Sequence, residues 1–160
     1  MIYPSNFESK IGFDRIRQLL SDRCLSPMGK TMAGSVSFMY DENLVVTEVS
    51  KTAEFQQVLT FGEPFPSDNY LDISEILGKL KVEGSFPEVQ ELFDLKRTLE
   101  TIRAVVNYFK AGDEKSYPIH KSLCRNVTIY PYVTDAIDRI LDRHGNIKDS
   151  HIRWFLFNKT

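Results

Sequence analysis

At 160 residues the chain has the length of one domain, and its 42% apolar and 26% charged residues are ordinary for a soluble globular protein. No run approaches the roughly 18 apolar residues of a membrane span, residues 1–6 lack the basic and apolar stretches of a secretory signal, and two cysteines give no disulfide framework. The net charge of −2 argues against a dedicated nucleic-acid-binding module.

A cytoplasmic setting is expected, in which the sequons at Asn126 and Asn158 are accidental. Charge is unevenly spread. Residues 1–40 carry a net +2, residues 41–100 a net −8 and residues 101–160 a net +4. The acidic middle would repel a phosphate backbone.

Helix signals dominate in chain order. Ser5-Asn6-Phe7-Glu8 has the form of a capping box, and Gly12 closes that first short turn. Asp14 then reads as the N-cap of a helix with Ile16, Leu19, Leu20 and Cys24 on its buried face. Ser26-Pro27 starts another helix through Met28, Met32 and Val36, in which Gly29 and Gly34 would let a neighbouring helix approach closely. Asp41-Glu42 opens a longer one, with a mostly apolar stripe of Leu44, Val45, Glu48, Thr52, Phe55, Val58 and Leu59 that ends at Phe61-Gly62.

A loop with two prolines spans residues 62–70. Asp72 caps a short helix carrying Ile73, Ile76, Leu77 and Leu80, with Glu75 at the capping-box spacing, and Glu83-Gly84 breaks it. Ser85-Phe86-Pro87-Glu88 begins the longest helix, where Val89, Leu92, Phe93, Leu99, Ile102, Val106 and Phe109 keep a 3.6-residue period up to Gly112-Asp113. Pro118 opens a short helix with Ile119 and Leu123. Tyr130-Pro131-Tyr132 introduces the last, with Val133, Ala136, Ile137, Ile140 and Leu141 in phase. Strand signals are confined to the residues around Ile147. The expected fold is therefore all-α, an irregular bundle of about seven helices.

The chemistry-bearing residues form no reactive constellation. Cys24-Leu25-Ser26-Pro27-Met28-Gly29-Lys30-Thr31 ends like a phosphate loop, yet Cys24 stands where the first glycine is required, and Pro27 removes a backbone donor. Lys30 is expected on the surface of a capped helix. His120 and Cys124 lie one helical turn apart, half of a zinc site without a second half. Cys24 reads as a buried structural thiol. The carboxylate pairs Glu88/Glu91 and Asp138/Asp142, the latter alternating with Arg139 and Arg143, read as solvated helix faces. No catalytic, cofactor-binding or metal-binding residue is predicted, and the chain as given is not expected to be an enzyme.

Two features point beyond a self-contained bundle. The last helix runs into a Gly145-Asn146 turn and a strand-like exit, Ile147-Lys148-Asp149-Ser150, with only ten residues beyond it, so the chain is expected to be a piece of something longer. The tail Ile152-Arg153-Trp154-Phe155-Leu156-Phe157 places four large apolar side chains in a row. Such a run packs back onto the bundle or docks on a partner.

Three blocks in order carry a family resemblance. They are Phe13-Asp14-Arg15-Ile16 through Cys24-Leu25-Ser26-Pro27-Met28-Gly29-Lys30; Asp72-Ile73-Ser74 through Glu83-Gly84-Ser85-Phe86 and Glu91-Leu92-Phe93-Asp94-Leu95 to Leu99-Glu100; and Ile137-Asp138 through Gly145-Asn146-Ile147-Lys148-Asp149-Ser150. Over residues 1–150 the chain resembles the N-terminal region of MutS-II proteins, MutS-like ATPases without mismatch-reading domains. The resemblance implies a helical core domain over 1–150, preceding the lever and clamp helices, with residues 151–160 departing from the family pattern.

It further implies a parent that is a homodimeric ATPase, with a nuclease domain in many members. Such a parent acts on branched or mismatched DNA in repair and recombination control, or on stalled ribosomes. ATP and Mg would bind only in a C-terminal domain absent here, and the partners of this segment would be the parent's own lever, clamp and ATPase domains. From the charge balance, this segment alone is expected to bind DNA weakly or not at all. No membrane partner is implied. The alternative reading is a stand-alone helical protein–protein interaction module.

Overall fold

The computed structural model describes residues 6–112 and 116–148. They form eight α-helices with no strand or sheet among the described residues, so the all-α expectation holds with one helix more than the seven foreseen. None of these helices is long and apolar enough to cross a membrane. The chain divides into two compact units, residues 1–52 and 53–160.

The first unit holds α1 (Phe7–Lys10), α2 (Phe13–Arg23), α3 (Pro27–Ser35) and the start of α4 (Glu42–Phe61). Gly12 joins α1 to α2 at φ +77°, a left-handed conformation that a residue with a Cβ adopts at a cost. Asp14 is not the cap expected. It sits inside α2 and pairs with Arg17 at 2.9 Å. Arg17 is the organiser of this unit: its guanidinium bonds the Glu8 carboxylate, donates from Nε to the Val36 carbonyl at 2.6 Å and lies over the Phe13 ring. Glu8 in turn accepts from the Phe38 amide at 2.8 Å, which ties the segment after α3 back to α1. The capping box expected at Ser5 starts outside the described residues, and the Glu8 carboxylate it required is engaged here instead.

Ser26 caps α3 as expected, its Oγ accepting from Gly29 N at 3.0 Å with Pro27 at the first helical position. Gly29 packs against Ser26 and Cys24, where an added Cβ would lie 3.2–3.3 Å from its neighbours, whereas Gly34 faces open space and the close helix approach expected there is not seen among the described residues. Asp41 opens α4 by accepting from Asn43 N and Leu44 N. The apolar stripe foreseen on α2 is not buried: Ile16, Leu19 and Leu20 are 46–50% exposed, and Ala33 is the one buried residue among the described residues of this unit.

The second unit is built on α6 (Val89–Ala111), against which α7 (Pro118–Cys124) and α8 (Pro131–Ile140) pack. The remainder of α4, the loop after it and the short α5 (Ser74–Lys79) complete it. On α4 the buried positions are Glu54 and Val58, while Leu44, Val45 and Leu59 of the expected stripe are exposed. The loop after Phe61 is pinned by hydroxyls: Tyr108 donates to the Glu63 carbonyl and Thr101 to that of Asp68. Asp72 accepts from Ser74 N ahead of α5.

Glu88 is exposed and Glu91 partly so, but the pair does more than face solvent. They form the reciprocal capping box of α6, and Glu91 also pairs with Lys79 at 2.8 Å. Leu95, Ile137 and Leu141 make the buried core, with Ile73, Leu92, Phe93, Leu99 and Val133 packed around it.

Candidate functional site

Two places in the second unit gather side chains of chemical interest. The first is centred on Glu54. This carboxylate is nine-tenths buried on α4 and accepts three hydrogen bonds from the start of α7: Ile119 N at 3.1 Å, His120 N at 2.8 Å and His120 Nδ1 at 2.7 Å. The His120 ring is stacked 5.2 Å from Phe109, with Phe55 at 5.5 Å. Phe65, Tyr108 and Tyr117 extend the ring cluster. Burial raises the Glu54 pKa, but the hydrogen bonds from His120 and Ile119 outweigh it and hold the carboxyl below its ordinary value.

A carboxylate, an imidazole and, one turn along α7, the Cys124 thiol have the composition of a nucleophilic triad. The arrangement does not assemble one. Burial pushes the Cys124 thiol up against the opposing pull of Lys110, and no hydrogen bond joins it to His120 among the described residues. His120 and Cys124 are joined by no further metal-ligating side chain: among the described residues no group of three or more His, Cys, Asp or Glu could hold a metal ion. The arrangement can fasten α7 to α4. Sequence reading missed Glu54 altogether, since a lone glutamate on a helix whose apolar stripe ran along another face gives no signal.

The second place is the junction at the end of α8. Leu141 pairs with Ile147 in an antiparallel bridge around a tight turn. Asp142 organises that turn: its carboxylate accepts from His144 N and Asn146 N, and its own amide donates to the Asn146 carbonyl at 2.8 Å. Those bonds, the Asn146 amide first, lower the Asp142 pKa against the opposing effect of burial. Gly145 lies at φ +84° with the Phe93 ring directly against it, and an added Cβ would fall 2.8 Å from that ring. Lys148 N donates to the Ile140 carbonyl, closing the exit. Asp138 keeps a half-exposed side chain, as expected of a solvated face, and also binds Lys96, which is only 8% exposed and reaches Glu100 as well.

An apolar groove of about 530 Å³ runs between α5, α6 and the start of α8. Ile73, Leu77, Leu95, Leu99, Ile102 and Tyr132 line most of its length.

The motif of Gly29, Lys30 and Thr31 lies wholly within α3, with Lys30 exposed. Cys24 is half-buried at the end of α2, where its thiol donates to the Leu20 carbonyl at 3.2 Å. The apolar run 152–157 falls outside the described residues.

No protein-family model matches the chain, and no solved structure matches it. Curated relatives do. The chain is 29% identical over 131 residues to a protein of Alkaliphilus metalliredigens called Endonuclease MutS2, an alignment covering 81% of this chain and 16% of that protein. It is 26% identical over 149 residues to the Halothermothrix orenii protein of the same name, covering 88% and 19%. Against the namesake from Fusobacterium nucleatum it is 20% identical over 137 residues, covering 86% and 17%. The chain thus spans less than a fifth of the length of these relatives. Over most of its own residues, it is similar to one stretch of MutS-related proteins.

Proposed function

We propose that the chain is the helical core of a MutS-II-like ATPase, the hub through which nucleotide-driven motion passes towards DNA-contacting helices. The observation that carries this reading is the alignment of more than four-fifths of the chain with a small fraction of proteins called Endonuclease MutS2. A hub needs rigid joints more than reactive groups. The carboxylates of Glu54, Glu91 and Asp142 are all engaged in fastening backbone amides, and Asp138 and Lys96 lock α8 to α6.

In this reading residues 1–150 are the core and residues 151–160 stand apart from it. ATP and Mg belong to another domain of the parent, which is dimeric and acts in DNA repair or recombination, or on stalled ribosomes. The test is the reading frame beyond codon 160. A downstream Gly-x-x-x-x-Gly-Lys-Ser/Thr motif within the same open frame supports the hub. A stop codon after Thr160, together with a stable complex between the purified chain and a cellular protein, overturns it in favour of an independent interaction module.

A further inference from the structure

The walls of the apolar groove between α5, α6 and the start of α8 stand open to water: Leu77 is 45% exposed, Ile102 39% and Tyr132 68%. Large apolar side chains gathered half-exposed in one concavity mark a docking surface, which single exposed residues do not. The composition says of which kind. No Lys, Asp or Glu lines the groove, whereas two tyrosines and one arginine do. That is the make-up of the buried centre of a protein–protein interface, where Tyr and Arg are enriched and Lys, Asp and Glu depleted. Tyr130 and Tyr132 meet edge to face at 6.0 Å, so two aromatic anchors already support one another.

Arg103 supplies the charge. It is exposed, and its guanidinium makes no ion pair or hydrogen bond among the described residues. Its neighbours on α6 differ: Lys96 is held by Asp138 and reaches Glu100, and Arg97 lies over the Phe93 ring. A partner that covers the groove therefore needs a carboxylate, or it leaves this cation desolvated and unpaired. The floor sets the partner's form. Leu95, Leu99, Ile102 and Arg103 stand at i, i+4, i+7 and i+8, one face of α6 that rises about 12 Å from end to end. That span matches the i, i+4, i+7 anchors through which an amphipathic helix enters an apolar groove.

We propose that this groove docks an amphipathic helix that lays large apolar side chains along Leu99 and Ile102 and offers an Asp or Glu to Arg103. The inference goes beyond the hub reading and does not depend on it, because every residue that forms the surface lies within this chain. Apolar burial supplies the affinity, and the carboxylate sets which helix is accepted and in which direction it lies.

A phage library of random peptides panned on the full 160-residue chain tests this. The enriched peptides should carry large apolar residues at helical spacing, with an Asp or Glu one turn beyond them. Arg103→Glu should weaken the best of them at least about tenfold, and replacing its acidic residue by Lys should restore binding to that variant. Ile102→Glu should weaken it as well, whereas Phe86→Glu, at a 78% exposed site outside the groove, should leave it unchanged. Far-UV circular dichroism checks that each variant is folded, and Arg103, an exposed polar site, guards against loss of fold at Ile102. A selection that enriches no peptide overturns the proposal. So do enriched peptides that lack the acidic residue, that bind in an extended form, or that ignore both groove variants.

Discussion

Gly145 shows what a single missing side chain does here. It meets two demands at once, a φ of +84° and a backbone pressed against Phe93. Gly84 meets only the first, at φ +79° with open space around its Cα. Gly84→Ala should therefore cost about 1–2 kcal/mol from backbone strain alone. Gly145→Ala should cost about 3 kcal/mol, strain and overpacking together. Urea unfolding monitored by circular dichroism separates them, and equal costs would show that the Phe93 contact carries no weight.

Glu54 makes the second prediction at this scale. Its folded pKa lies below its ordinary 4.5, so its contribution is complete above that value and is lost as pH falls through the lowered folded value. Glu8, Asp72, Glu91 and Asp142 are shifted the same way and share the acid sensitivity of the chain. Glu54→Gln should therefore flatten, without abolishing, the fall in urea midpoint between about pH 6 and about pH 3. An unchanged slope would mean that the carboxylate stays charged without stabilising the fold. Glu54→Ala, which leaves two backbone amides at the start of α7 without their acceptor, should cost about 2–3 kcal/mol.

At the scale of elements, the punctuation of the helices was legible and their buried faces were less so. Ser26-Pro27, Asp41-Glu42, Phe61-Gly62 and Pro118 mark real helix boundaries because capping and proline chemistry act within a few residues. Ser26→Ala should lower the opening free energy of α3 amides by about 1 kcal/mol in hydrogen exchange. No change there would make the observed Gly29 bond incidental.

The faces failed where burial depends on what lies opposite. Ile16, Leu19 and Leu20 hold a proper helical period and are still half-exposed, while Glu54 and Lys96 are buried because partners on α7 and α8 satisfy them. Periodicity sees hydrophobicity along one helix. It does not see a backbone amide supplied by another. The candidate site was hidden for the same reason: nothing near Glu54 in sequence announces that His120 and Ile119 will meet it.

At the scale of the molecule, the two units differ in how much they bury. The second has a core around Leu95, Ile137 and Leu141, with Val58, Val106 and Phe109 also at or below 2% exposure. The first buries Ala33 and otherwise depends on the Arg17 network. Amides of α2 and α3 should accordingly exchange through openings at least about 2 kcal/mol less costly than those of α6. Native-state hydrogen exchange read by mass spectrometry checks this, and uniform protection across both units would refute it. Charge leads to a separate expectation. With a net −2 overall and −8 over residues 41–100, the chain alone should bind branched DNA weakly or not at all. A salt-resistant, sub-micromolar affinity in a gel-shift titration would contradict it.

The bond between Glu54 and α7 also has a temporal side. The acceptor precedes its donors by 65 and 66 residues, so the joint closes a loop that includes α5 and all of α6. Loop closure of that span is entropically unfavourable until the intervening chain has collapsed, and contacts of long sequence separation slow folding. During synthesis the carboxylate emerges well before the amides it will bind and waits in water for them. The seating of α7 is therefore expected to be a late event, with a ribosome paused between α6 and α7 holding Glu54 solvated and without these two amides.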